Sequence, residues 1–213
     1  MSLAVSLPPG PGATKRQLRS WAREARPALR AARGNSVDTA VCAALRGSEA
    51  YQAAGTVGIY LALPDEVNVL GLTADAKRFV APRMHEAPEP HLTFHEVQPD
   101  ELEAHAWGVR QPSAAAAQVA LEDIDLLLVP GLLFDVTGVR VGFGKGYYDR
   151  LLAPTAEGGT RWPLTVGVAY EALVLTRLPA AAHDVAVGHL VTEAGLRATE
   201  PRALDPEPDS ARV

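Results

Sequence analysis

A single cysteine, Cys42, in 213 residues leaves no intrachain disulfide to be made and points to a reducing, cytoplasmic setting. Its apolar neighbours in a helical pattern mark it as a small buried side chain rather than a reactive thiol. Lysine is almost as scarce. Of 20 basic residues only Lys15, Lys77 and Lys145 are lysines, so a chain that defaults to arginine makes each lysine position informative. Positive charge is not in excess either: a formal net charge of -5 and a pI near 5.7 argue against nucleic-acid binding through bulk electrostatics. No apolar run approaches the roughly 18 residues of a membrane span. The N-terminal MSLAVSLPPGPGA has no basic region and is broken by prolines, unlike a secretory signal. There is no internal repeat, and neither a Ser-His-Asp nor a Cys-His set suggests covalent catalysis. His91 and His95 lie four apart in a strand-like run without a third ligand, which does not make a zinc site.

What is present is an ordinary globular composition, 47% hydrophobic with mean hydropathy +0.01, enough for one core and one domain. The Pro/Gly-rich residues 1–13 read as a flexible N-terminus. Thr14-Lys15-Arg16-Gln17 is a capping box that opens a helix, with Leu18, Ala22, Ala25 and Leu29 on one face and Arg19, Arg23, Arg26 and Arg30 on another. A second helix is predicted from Ser36, stopped by Gly47. Short apolar runs at 56–61, 78–81, 92–97, 125–129, 164–169 and 185–191 read as strands, the second ended by Pro82 and the fourth by Pro130-Gly131. Helices are predicted over 66–77 and 147–152. Continuous apolar strands between helices predict an α/β fold: a single domain, Rossmann-like, whose mostly parallel (mixed) sheet has helices on both faces. From Arg197 to Val213 the Pro/acid-rich composition reads as a disordered tail, leaving 14–196 as the domain.

The chemistry concentrates between Val129 and Arg150. After a buried strand and turn come Gly142, Gly144 and Gly146 at alternate positions, Lys145 among them, then the start of a helix at Tyr147-Tyr148-Asp149. Glycine lets backbone N–H groups approach an anion, a helix start adds free donors, and lysine adds a mobile charge. A phosphate site is the natural reading. It is not a Walker A loop, since Val139 and Gly146 stand where Gly and Ser/Thr are needed, nor a dinucleotide fingerprint, since the spacing is G-x-G-x-G.

The same run, PGLLFDVTGVRVGFGKGYYDR, closely resembles the signature of 5-formyltetrahydrofolate cyclo-ligases, and other elements agree in order. Lys15-Arg-Gln-Leu-Arg19 resembles the family's K-x-x-L-R, and Tyr60-Leu61 with Glu66-Val67-Asn68 its strand and acidic loop. Pro82-Arg83 and Trp107-Gly108 fall in place, as does His183-Asp184 followed by Leu190-Val191-Thr192-Glu193. The resemblance implies ATP-dependent conversion of 5-formyltetrahydrofolate to 5,10-methenyltetrahydrofolate. It implies an ATP site at Lys15, Arg19, Arg140, Gly142, Gly144, Lys145, Gly146, Tyr147 and Tyr148, with Lys145 and Arg140 acting on the transferred phosphoryl. It further implies Mg²⁺ at Asp149 and Asp184, and a folate pocket at Leu61, Glu66, Trp107, Phe143 and Tyr147. It implies a small-molecule enzyme, monomer or weak homodimer, with no nucleic-acid or membrane partner. Read by themselves, Trp107 also suits a core position, Asp184 a helix cap, and Lys15 with Arg19 a solvated face. Phe143 stands where some members carry a basic residue, and the segment from Glu66 to Pro82 is short by about one turn. Another small-molecule kinase or ligase, a non-catalytic folate or nucleotide binder, and a phosphosugar isomerase of similar architecture are the competing functions.

Overall fold

The computed structural model describes residues 6–105, 108–153 and 161–200. Four helices, α1 (Lys15–Arg33), α2 (Ser36–Arg46), α3 (Glu49–Ala53) and α4 (Tyr147–Leu152), accompany thirteen strands within that range. The strands are β1 (Thr56–Gly58), β2 (Arg78–His85), β3 (His91–Glu96), β4 (Glu103–Ala104), β5 (Arg110–Gln111) and β6 (Gln118–Val119). Then follow β7 (Leu126–Pro130), β8 (Leu133–Asp135), β9 (Arg140–Val141), β10 (Leu164–Val168), β11 (Val174–Leu175), β12 (His189–Thr192) and β13 (Gly195–Ala198). Eight of them form one sheet in the order β13-β12-β10-β7-β1-β2-β3-β6. Its five inner strands, β12 to β2, are mutually parallel, and antiparallel strands finish both edges.

Alternation along the strands explains why both faces are covered. On β7, Leu126 and Leu128 enter the cluster built with Leu18, Ala22, Ala25 and Leu29 of α1 and Val37, Val41 and Leu45 of α2. Leu127 and Val129 point the other way, into the cluster that contains Phe94, Phe134 and Leu152 of α4. A strand buried on both sides has no polar position to spare, which is why 126–129 is the most apolar run in the chain. Cys42 is buried beneath α2, and that burial pushes its thiol up from the ordinary value, in keeping with an inert core residue.

The first helix begins, and the second begins and ends, where the sequence places them. Thr14 Oγ1 accepts from the Gln17 N–H at 3.3 Å while Gln17 Oε1 accepts from the Thr14 N–H at 2.9 Å. The strands read over 56–61 and 185–191 are cut to Thr56–Gly58 and His189–Thr192, and three further expectations change. No α-helix spans 66–77: only a 3₁₀ turn, Leu70–Ala74, forms. Val67, Val69, Asn68 and Gly71 are weak helix formers, and the Glu66 carboxylate accepts from the Leu63 N–H at 2.9 Å instead of facing solvent. Pro82 does not end β2, which runs on to His85. The Val80 carbonyl accepts from the Ile59 N–H at 2.8 Å, so residue 82, two further on, faces the same side just beyond the last β1 residue paired with β2, where no N–H is needed. At the other end Arg197 and Ala198 belong to β13, while residues 201–213 of the expected tail lie outside the described residues. Leu196 and Arg197 pair with Val191 and Leu190, and Arg197 grips Glu171 at 2.8 and 3.1 Å.

Candidate functional site

The loop between β9 and α4 hangs from a short three-stranded sheet, β11-β8-β9, beside the open ends of the parallel strands. Its anchor is Asp135, wholly buried. One carboxylate oxygen accepts from the Thr137 N–H (2.9 Å), the Thr137 hydroxyl (2.6 Å) and the Val139 N–H (3.1 Å), and the other accepts from the Leu178 N–H (2.9 Å). The loop then runs through Gly144 and Gly146, whose φ values of 96° and 70° are left-handed, whereas Gly142 has ordinary dihedrals. Gly146 is the N-cap of α4. That helix has six residues, so its contribution is the placement of Tyr147, Tyr148 and Asp149 more than a dipole.

Two cavities meet at this loop. The first, about 120 Å³, is lined by every residue foreseen for the nucleotide and the metal: Lys15, Arg19, Arg140, Gly142, Gly144, Lys145, Gly146, Tyr147, Tyr148, Asp149 and Asp184, with Phe143 added. The Lys15–Arg19 element is brought across the chain to do so, and Arg19 Nε donates to the carbonyl of Gly142, 123 residues on, at 2.9 Å. Lys15 and Arg19 are therefore not a merely solvated face. Arg140 is buried, its Nη2 donating to Asp149 at 2.6 Å and its Nη1 to the Val185 carbonyl at 2.5 Å. Burial depresses its pKa, against the pull of Asp149 and Asp184, without bringing an arginine near neutrality. Asp184 is paired with Lys15 and also accepts from the Ala181 N–H at 2.7 Å, closing a turn; no helix starts there, so it lines the cavity without capping a helix.

The second cavity, about 350 Å³, lies on the other side of the loop. Leu61, Glu66, Phe143 and Tyr147 line it, as expected of the substrate side. Trp107 falls outside the described residues, though Val109 and Arg110, just after it, are on the lining. Sequence reasoning missed Arg23, Tyr60, Leu63, Met84 and Leu92, which also line it. Met84 and Leu92 are directly paired across β2 and β3 and share one face, a pairing invisible before the hairpin register is known.

Glu66 is the one carboxylate on this apolar wall and is only 7% exposed. Burial raises its pKa, and Arg26, which donates to it at 3.2 Å, works against that rise. Phe143, Lys145, Tyr147 and Tyr148 line both cavities and so form the partition between them. The Tyr148 hydroxyl is sealed from solvent without a hydrogen-bond partner among the described residues, and burial pushes its pKa well above the ordinary phenol value. An orphaned buried hydroxyl costs stability. Tyr148→Phe is therefore expected to raise the unfolding free energy by about 1 kcal/mol in urea titration. A lower stability would mean that the hydroxyl has found a partner.

For a divalent ion the protein offers little by itself. No group of three or more His, Cys, Asp or Glu converges among the described residues. The two carboxylates of the cationic cavity are engaged by Arg140 and Lys15. Such a donor set fits magnesium, which keeps waters and is held chiefly by phosphate oxygens with one or two carboxylates.

The Rossmann-like α/β fold thus carries a glycine-lysine loop between a cationic cavity and an apolar one. The chain belongs to the 5-formyltetrahydrofolate cyclo-ligase family, whose sequence profile matches residues 11–193. It is 32% identical over 143 residues to the mitochondrial 5-formyltetrahydrofolate cyclo-ligase of Arabidopsis thaliana, covering 61% of this chain and 52% of that one. It is 27% identical over 154 residues to the mouse enzyme, covering 67% of this chain and 75% of that one. The chain thus spans about half the length of the first relative and three quarters of the second. Among solved structures, the 5,10-methenyltetrahydrofolate synthetase of Aquifex aeolicus superposes with a TM-score of 0.74 at 31% identity, covering 92% of this chain and 99% of that one. The family's enzymes are ATP-dependent ligases of folate one-carbon metabolism.

Proposed function

We propose that this chain converts 5-formyltetrahydrofolate to 5,10-methenyltetrahydrofolate at the expense of ATP, releasing ADP and phosphate. The observation that carries this reading is the shared wall. Lys145 borders both the cationic and the apolar cavity, where a phosphoryl group passing from one ligand to the other needs a cation.

An amide oxygen is a poor leaving group. In the first step the formyl oxygen bonds to the γ-phosphorus as the bond to the β,γ-bridging oxygen breaks, and ADP departs with that electron pair. In the second, N10 attacks the formyl carbon and loses its proton, and the carbon–oxygen bond breaks to expel phosphate. No protein nucleophile is needed, so the residues act by positioning and charge neutralisation. Lys145 and Arg140 face the transferring phosphoryl, and the loop amides with Lys15 and Arg19 hold the remaining phosphates. Glu66 accepts from the pteridine N–H groups while Leu61, Phe143 and Tyr147 pack against its flat face. Asp149 and Asp184 would hold Mg²⁺, whose charge would offset that of the phosphates.

The remaining attributes follow the same reading. Association is as a monomer or weak homodimer: among the described residues the exposed large apolar side chains are Leu7, Val136 and Phe143, and the last belongs to the site. No described helix is long and apolar enough to cross a membrane. The unpaired Cys42 suits a reducing compartment such as the cytoplasm. The test is the near-ultraviolet absorbance rise of the methenyl product. A rise that requires 5-formyltetrahydrofolate, ATP and Mg²⁺ together is the expected result. No rise, with ATP still bound in calorimetry, would assign the site to another substrate.

A further inference from the structure

The arginines along α1 are not equivalent. Arg23 is exposed, whereas Arg26 is only 3% exposed and is committed to two carboxylates. Its Nε and Nη2 bracket Asp65 at 2.8 and 2.9 Å, and its Nη1 reaches Glu66 at 3.2 Å. The other Glu66 oxygen is fixed by the Leu63 N–H at 2.9 Å. On its opposite side the Arg26 guanidinium lies 5.3 Å from the Phe143 ring centre, in the loop that separates the two cavities. The helix that grips the loop through Arg19 therefore also grips the acid of the apolar cavity.

We infer that Arg26 is a positioning residue of the reaction: it holds the Glu66 carboxylate ionised and aimed along the wall of the apolar cavity, and it seats Phe143 over that pair. The inference rests on the folate reading of the cavity given above. Its physical basis is that a carboxylate this deeply buried keeps its charge only beside a cation. Asp65 opposes that effect, being a second anion on the same guanidinium. The other charged or titratable groups around Glu66 are Tyr60 after β1, Tyr148 on α4, and Arg30, which donates to the Glu66 main-chain carbonyl. Arg23, Arg110 and Lys145 share the cavity lining. Arg26 donates a hydrogen bond to the Glu66 carboxylate from its side chain.

The sign of the effect differs between two substitutions. Arg26→Met removes the cation and moves Glu66 protonation to higher pH. Asp65→Asn removes the competing anion and moves it to lower pH. The opposite shifts test the electrostatics around Glu66, and the acid limb of the kcat/KM profile tests whether they reach the reaction. The experiment follows the Glu66 carboxyl by ¹³C NMR, assigned with Glu66→Gln, alongside the pH profile of kcat/KM for 5-formyltetrahydrofolate. In Arg26→Met the folate KM is expected to rise about 10- to 100-fold, the worth of one charge-assisted hydrogen bond, with kcat changed much less. Arg26→Lys should restore part of it. If Arg26→Met does not fold, Asp65→Asn, which keeps the cation, still reports through its downward shift. Titrations that fail to move in these opposite senses would overturn the inference whatever the activity. Shifts in the NMR titration with an unmoved acid limb would reduce Arg26 to a structural ion pair. A wild type that turns over no 5-formyltetrahydrofolate, yet shows both NMR shifts, would instead overturn the folate reading and the role in catalysis with it.

Discussion

Lys145→Ala is expected to lower kcat by about 100- to 1,000-fold, some 3–4 kcal/mol of transition-state stabilisation. The lysine borders both cavities, so its charge can follow the phosphoryl from donor to acceptor. ATP affinity should fall far less, by about tenfold or under, the scale of one point-charge contact to phosphate. Lys15, Arg19 and Arg140 still line the nucleotide side. That split between chemistry and binding is the informative result. Calorimetric ATP titration and the absorbance assay on the same preparation measure it. Lys145→Arg should recover only part of the rate, because the guanidinium fork is bulkier and planar where a compact ammonium is used. Turnover left intact in Lys145→Ala would remove the lysine from the mechanism and direct attention to Arg140.

Asp135→Ala should be the most destabilising single change near the site, by about 3–5 kcal/mol in urea unfolding. The carboxylate is wholly buried and accepts four hydrogen bonds, from Thr137 (two), Val139 and Leu178. Removing it strands three main-chain N–H groups and a hydroxyl in the interior, and a small void is left as well. Asp135→Asn should recover part of the loss, since its amide oxygen can keep the Thr137 and Val139 bonds while its NH₂ faces the Leu178 N–H without an acceptor. Activity would fall with stability, because Asp135 fixes the turn that leads into β9 and the glycine-lysine loop. A change below about 1 kcal/mol would show that water replaces the carboxylate, and that the anchoring role is misassigned.

These two residues belong to one contiguous stretch, and the sequence exposed one role but not the other. Lys145 stood out because lysine is rare here and because glycines flank it. Asp135 sat in the same recognisable run without any sign of what it does, since its partners include the N–H of Leu178, 43 residues away. Arg26 is the sharper case. It lay on a helix face that reads as solvated, yet Asp65 and Glu66, 39 and 40 residues on, make it a buried ion-paired group.

By itself the sequence determined what depends on near neighbours along the chain. The capping box and apolar spacing of α1, the doubly buried β7, the Gly-rich turn and the start of α4 are all written in windows of a few residues. So is the family signature, which singled out most of the residues that line the cationic cavity. Tertiary structure decided the rest. It let β2 continue through Pro82, because pairing with β1 had already ended on that side. It carried β13 through Arg197 and Ala198, which composition reads as tail, because Leu190 and His189 offered antiparallel partners. It also placed Phe143, Lys145, Tyr147 and Tyr148 on a common wall between two cavities. The physical reason is the same in each case. Helix caps, periodicity and glycine turns are set by local sterics and hydrogen bonds, whereas a cavity wall, a buried ion pair or a strand edge exists only once remote segments have packed.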